Sequence, residues 1–257
     1  MNLWNTFIKH FKRFMSSNRL YKDLSWLWPL WEKVEDYQPE SARFISLIKK
    51  HCPKAWTILD IACGGGKNDY WLKKRFAVTG VDLSPQMIAQ ARRLNPKADY
   101  HVGDMRSFDL KKKFDAVFFN DGIIYMQTEK DLLKALKNAR RHLKPGGVMA
   151  LYVEDCKERF EQSKTSVWRS RSGGYDITYI ENDHDHDPKD STYQMTFVYL
   201  IRRGKSLRIE HDTHTAGLFT LAQWRKTLKQ AGFKVIEDRQ EKLGDELVQL
   251  LVGKDPA

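Results

Sequence analysis

Residues 58–66 read Ile58-Leu59-Asp60-Ile61-Ala62-Cys63-Gly64-Gly65-Gly66, and residues 78–85 read Val78-Thr79-Gly80-Val81-Asp82-Leu83-Ser84-Pro85. The first stretch is a β-rich apolar run that empties into a loop without side-chain bulk. Over such a loop the backbone approaches a ligand closely before a helix begins. The second stretch is another apolar strand, closed by an acid. Asp82 stands about twenty residues beyond the glycines, where a carboxylate accepts both hydroxyls of a ribose. Strand, glycine turn, helix and acid-tipped strand make half of a nucleoside-binding site.

The glycines narrow the choice of nucleoside. A dinucleotide fingerprint needs a third glycine for helix packing and sets a pyrophosphate on the helix N-terminus, but Asp69 occupies that third place. A carboxylate in the first helical turn opposes a phosphate. The pattern Asp60-x-Ala62-x-Gly64-x-Gly66 resembles motif I of the Rossmann-like S-adenosylmethionine-dependent methyltransferases, whose cofactor carries no phosphate. The likeness continues in order. Val102-Gly103-Asp104-Met105 is similar to the element that receives the adenine amino group, and Phe114 to Asp121 to the fourth strand and the active-site loop. His142 to Val148 is similar to the turn that opens the fifth strand. The resemblance implies an α/β fold, a Rossmann-like seven-stranded methyltransferase sheet with helices on both faces and an inserted antiparallel β-sheet. It also implies S-adenosyl-L-methionine as cofactor, with contacts from Tyr21, Asp60, Ala62, Cys63, Gly64, Gly66, Asp82, Leu83, Met87, Asp104, Met105 and Asn120. Cys63 enters through its backbone, without a nucleophilic role.

With 257 residues and 41% hydrophobic content, the chain suits one α/β domain carrying insertions. Three scattered cysteines without Cys-x-x-Cys spacing imply neither a disulfide framework nor zinc, and a reducing cytoplasm is the expected compartment. No apolar run is long enough to span a bilayer. The net charge of +11 is spread over short runs that read as solvated faces.

Four segments are expected along the chain. Residues 1–50 form a helical cover, 51–155 the cofactor-binding core, 156–214 the inserted antiparallel strands of an acceptor pocket, and 215–257 the completion of the core sheet. Leu3, Trp4, Phe7, Ile8, Phe11, Phe14 and Met15 recur at helical spacing opposite Lys9, Lys12 and Arg13. This basic amphipathic helix reads as packing on the domain or on a partner subunit, in a homodimer, in preference to peripheral membrane contact. The aromatic stretch Tyr21 to Trp31 is broken by Pro29; it reads equally as core and as the mobile cover of related enzymes, whose tyrosine Tyr21 or Tyr37 supplies. Ser84-Pro85 and Thr128-x-x-Asp131 are helix starts. β alternation over Tyr175 to Ile180, Tyr193 to Ile201 and Leu207 to His211 predicts inserted strands.

Methyl transfer from a sulfonium needs positioning in a dry pocket and a base for the acceptor's proton. The loop beyond the fourth strand, Asn120-Asp121-Gly122-Ile123-Ile124-Tyr125-Met126, offers Asp121 and Tyr125, and His214 is a further proton acceptor. Backbone capping by Asp121 and packing by Tyr125 are the structural alternatives. The chain most resembles bacterial small-molecule methyltransferases, in particular N,N-dimethyltransferases of nucleotide-linked amino sugars, over most of its length beyond Tyr37. It departs from them at Asp121-Gly122, where those enzymes carry a Ser-Ser pair. The expected acceptor is a small molecule methylated on nitrogen in preference to oxygen. RNA or protein as substrate, and a non-catalytic S-adenosylmethionine-binding module, are the competing readings. Nucleic acid is disfavoured, because the loop has no Asn/Asp-Pro-Pro-Tyr sequence to stack a flipped base. Asp183-His184-Asp185-His186-Asp187 alternates across a turn, so no metal site is assigned there.

Overall fold

The computed structural model describes residues 18–243 and 246–256, so the amphipathic stretch Leu3 to Met15 lies outside the described residues. The chain divides into two compact units, residues 34–160 with 217–257 and residues up to 33 with 161–216.

The first unit is built on parallel strands whose residues alternate between two apolar layers. β1 (Thr57–Ile61), β2 (Ala77–Asp82), β3 (Asp99–Val102), β4 (Phe114–Phe119) and β5 (Leu143–Val153) run parallel, and β10 (Lys234–Leu243) and β11 (Glu246–Lys254) close one edge. The order of the seven strands is β10-β11-β5-β4-β1-β2-β3, with β11 antiparallel to both its neighbours. Leu59, Ile61, Val117, Phe119, Met149 and Leu151 face one layer, with Leu132, Leu136, Trp224 and Leu228 from the covering helices. Ile58, Ala116, Phe118, Val148 and Ala150 face the other, with Phe44, Leu47, Ile48 and Leu72. Runs buried on both faces are what a parallel sheet requires. The helices are α2 (Gln38–His51), α3 (Lys67–Leu72), α4 (Pro85–Leu94), α5 (Glu129–Arg141) and α6 (Leu221–Gln230), after a single turn α1 (Trp28–Trp31) in the other unit. The expected caps form, with Ser84 Oγ accepting from Met87 N at 3.2 Å and Thr128 Oγ1 from Asp131 N at 3.1 Å.

The second unit is an antiparallel sheet in the order β6 (Lys164–Ser172), β7 (Tyr175–His184), β8 (Thr192–Arg203) and β9 (Ser206–Gly217). One face is an aromatic core in which Trp31 stacks on Tyr179 at 4.5 Å, with Phe197 and Tyr199 alongside. A buried ion pair, Arg19 to Glu210 at 2.8 Å, ties the entering chain to β9. Among the described residues no helix is long and apolar enough to cross a membrane, and no cluster of three or more His, Cys, Asp or Glu side chains is disposed to hold a metal.

Candidate active site

In a doubly wound sheet, ligands bind beyond the carboxyl ends of the strands where the winding reverses. Here that point lies between β1 and β4, because β2 and β3 lie to one side and β5 to the other. The glycine loop leaves β1 there. Ala62 takes φ 62° and Gly66 φ 75°, left-handed conformations that turn the chain back on itself before α3. At Gly66 a side chain has no room either, since a Cβ would lie 2.7 Å from Asn95 Nδ2 and 2.9 Å from Tyr100 Oη.

Asp82 closes β2 and fastens this loop. Its Oδ2 accepts from Gly64 N at 2.9 Å and its Oδ1 from Ser84 N at 2.8 Å. Burial pushes the carboxyl above its usual range, while these two N–H donors pull the other way. Each oxygen keeps a lone pair for a hydroxyl donor. Beside it Leu83 is 69% exposed and Val102, at the end of β3, is 52% exposed. Two bare aliphatic side chains at strand ends fit the faces of a purine, and the half-buried carboxylate fits a ribose. Met87 is buried in α4, Cys63 is buried with its thiol pushed well up by burial, and Met105 packs partly against the core.

Beneath the loop lies a network that motif reading missed. Tyr100 donates to Asp69 Oδ2 at 2.8 Å, Asn95 Nδ2 donates to Tyr100 Oη at 2.9 Å and to Gly66 O at 2.8 Å, and Lys73 Nζ donates to Asn95 Oδ1 at 2.8 Å. Asp69 in turn interacts electrostatically with Asp60. Both carboxyls are pushed up by burial, Asp69 to about 6 and Asp60 well above its usual value, with Asp69 adding to the rise. An acid pair below the glycines repels phosphate and suits a cationic ligand.

The loop after β4 meets the glycine loop directly. Asn120 is half-buried, and Asp121 to Tyr125 form a 3₁₀ turn in which Asp121 is exposed and Tyr125 is partly buried against the core. A Cβ at Gly122 would lie 2.2 Å from Ala62 Cβ, so only glycine lets the two loops touch here.

Tyr21 and His214 belong to the other unit. His214 is 1% exposed, its Nε2 lies 2.8 Å from Asp212 Oδ2, and its ring sits 5.4 Å from that of Tyr21 and 4.6 Å from that of Phe197. Burial raises the Asp212 carboxyl, but the His214 bond and the N–H of Leu20 at 2.7 Å outweigh it and hold the group low. Tyr37, the alternative tyrosine, lies in the first unit with the Lys67 ammonium 5.2 Å from its ring.

A seven-stranded sheet of this order, with an acid after β2 and a glycine loop over buried carboxyls, defines the Rossmann-like nucleoside-binding methyltransferase class. Residues 58–147 match the model of the methyltransferase domain family. The chain is 33% identical over 209 residues to dTDP-3-amino-3,6-dideoxy-alpha-D-glucopyranose N,N-dimethyltransferase of Streptomyces fradiae, covering 79% of this chain and 80% of that one. Its fold superposes on the crystal structure of Streptomyces venezuelae DesVI with a TM-score of 0.80 at 28% identity, over 94% and 99% of the two chains. The S-adenosylmethionine-bound structure of CalS10, an amino pentose methyltransferase from Micromonospora echinaspora, gives 0.77 at 26% identity over 85% and 91%. The chain belongs to the S-adenosylmethionine-dependent methyltransferases.

Proposed function

We propose that the protein transfers methyl groups to the amino nitrogen of a small sugar-like acceptor carrying an anionic group, of the kind a nucleotide-linked amino sugar presents. One observation carries this reading: the loop from Asp121 to Tyr125 touches the glycine loop through the Gly122–Ala62 contact, so groups suited to an acceptor stand against the cofactor loop. The relatives whose names specify amino sugars support the nitrogen assignment. The Asp121-Gly122 departure follows from the same contact, which leaves no space for a second serine.

S-adenosylmethionine supplies, when bound, an electrophilic methyl whose sulfur keeps the bonding pair as the acceptor nitrogen forms its new bond to carbon. This chain's residues do the rest. Asp82 holds the ribose hydroxyls, Leu83, Val102 and Met105 line the base, and the backbone of Ala62, Cys63, Gly64 and Gly66 shapes the floor. The Asp60–Asp69 pair, which holds a proton between two carboxyls, places its remaining negative charge below that floor, Met87 fixes the start of α4, and Asn120 sets the entry of the acceptor loop. The Asp121 carboxylate takes the proton that the amine releases, and the Tyr125 hydroxyl orients the amine lone pair. Within the other unit His214, braced by Asp212, supports the Tyr21 ring. We place the enzyme in the reducing cytoplasm on its three unpaired cysteines.

Radiolabelled methyl transfer in a cell extract tests the acceptor class. Label should enter the low-mass fraction with little dependence on salt. Label confined to RNA or protein would overturn the proposal.

A further inference from the structure

Arg106 follows the acid of the third cofactor element by two residues and grips it. Its Nε lies 3.0 Å from Asp104 Oδ1 and 3.1 Å from Oδ2, its Nη2 lies 2.5 Å from Oδ2, and its backbone N–H donates to Oδ1 at 2.8 Å. The remaining arm, Nη1, is 3.4 Å from Asp131 Oδ2 in the first turn of α5. Asp131 is itself anchored, taking Lys134 Nζ at 3.0 Å and capped through its N–H by Thr128. One guanidinium is thus shared by carboxylates on two elements. A two-pronged grip fixes the plane of a carboxylate as well as its charge. The Arg106 hydrogen bonds hold the Asp104 carboxyl below its usual range, against partial burial.

We propose that Arg106 sets the preference for adenine over a 6-oxopurine in the bound nucleoside, by holding Asp104 as a fixed carboxylate that only accepts hydrogen bonds. The proposal rests on the assignment of Asp104 to the adenine amino group. That amino group is a donor, whereas the 6-oxo group of hypoxanthine is an acceptor. A guanidinium free to turn would offer that oxo group N–H donors. The grip on Asp104 and the 3.4 Å contact of Nη1 with Asp131 fix the guanidinium so that its donors are spent on carboxylates. Arg106 therefore acts on the base through another residue and is a positioning residue.

Calorimetric binding of two probes, S-adenosylhomocysteine and S-inosylhomocysteine, tests this without turnover. The unaltered protein should prefer the adenosyl probe by about tenfold or more. Arg106→Gln should shrink that ratio severalfold, and Arg106→Lys should restore part of it. Asp131→Asn should shrink it less. A ratio unchanged in Arg106→Gln, with both probes weakened equally, would leave Arg106 a merely structural residue and overturn the proposal. If Arg106→Gln does not fold, Arg106→Lys carries the test, and a ratio equal to that of the unaltered protein overturns it. Asp104→Asn separates the two layers, because unchanged adenosyl affinity in that variant shows that the assignment of Asp104 itself has failed.

Discussion

The carboxyls of Asp60, at the end of β1, and Asp69, in α3, interact electrostatically below the glycine loop, and the two residues are 2% and 0% exposed. Each keeps a buried oxygen, Oδ1, without a hydrogen-bond partner. Burying two neighbouring carboxylates costs more than burying one, so the pair favours holding a proton. The sign of the resulting pH effect is fixed. A carboxyl raised from its usual value to about 6 binds more protons folded than unfolded, and stability falls as pH rises through that interval.

Asp69→Asn tests the held proton, since an amide does not titrate. The unaltered protein should lose stability from about pH 4 to above pH 6, by up to about 3 kcal/mol. In the variant the decline should be shallower. Melting temperatures that fall with the same slope in both proteins would remove the pair as the cause.

Asp82→Ala should weaken S-adenosylhomocysteine by about 1–3 kcal/mol, because the ribose hydroxyls lose a buried acceptor. The glycine loop loses its Gly64 anchor as well, so a fall in melting temperature is also expected. Calorimetry giving equal affinity in the two proteins would displace Asp82 from the ribose.

Tyr125→Phe and Asp121→Asn should each lower turnover about 10²-fold while leaving cofactor affinity unchanged. Both residues belong to the 3₁₀ turn whose Gly122 meets Ala62. Turnover at the parent level in both variants would reduce them to the capping and packing roles that their positions also allow.

The cofactor half of the fold was legible because it rests on backbone chemistry. Glycines over Gly64 to Gly66, an acid at Asp82 and double-sided apolar strands each leave a local mark. What escaped was marked by no local pattern. β6 was not expected, since Lys164 to Ser172 lies on the edge of its sheet and is exposed along most of its length, so it lacks apolar alternation. β10 has no apolar alternation from Glu237 to Lys242, yet it runs to Leu243, its charged residues paired with neighbours such as Arg43 and Lys50. The Asp60–Asp69 pair and the Arg106 grip are side-chain relations. Asp69 was visible as the residue that spoils a phosphate fingerprint, but the partner beneath the loop was not.

Mass spectrometry of the acceptor addresses the function most directly. The purified protein is incubated with S-adenosylmethionine and a panel of nucleotide-linked sugars that differ only in carrying an amino or a hydroxyl group at one ring carbon. We expect one or two added methyl groups on the amino sugars alone, with equimolar S-adenosylhomocysteine. Methylation of the hydroxyl sugars at comparable rates, or demonstrated cofactor binding with no transfer to any member of the panel while RNA or protein becomes labelled, would contradict amine methylation of a small acceptor.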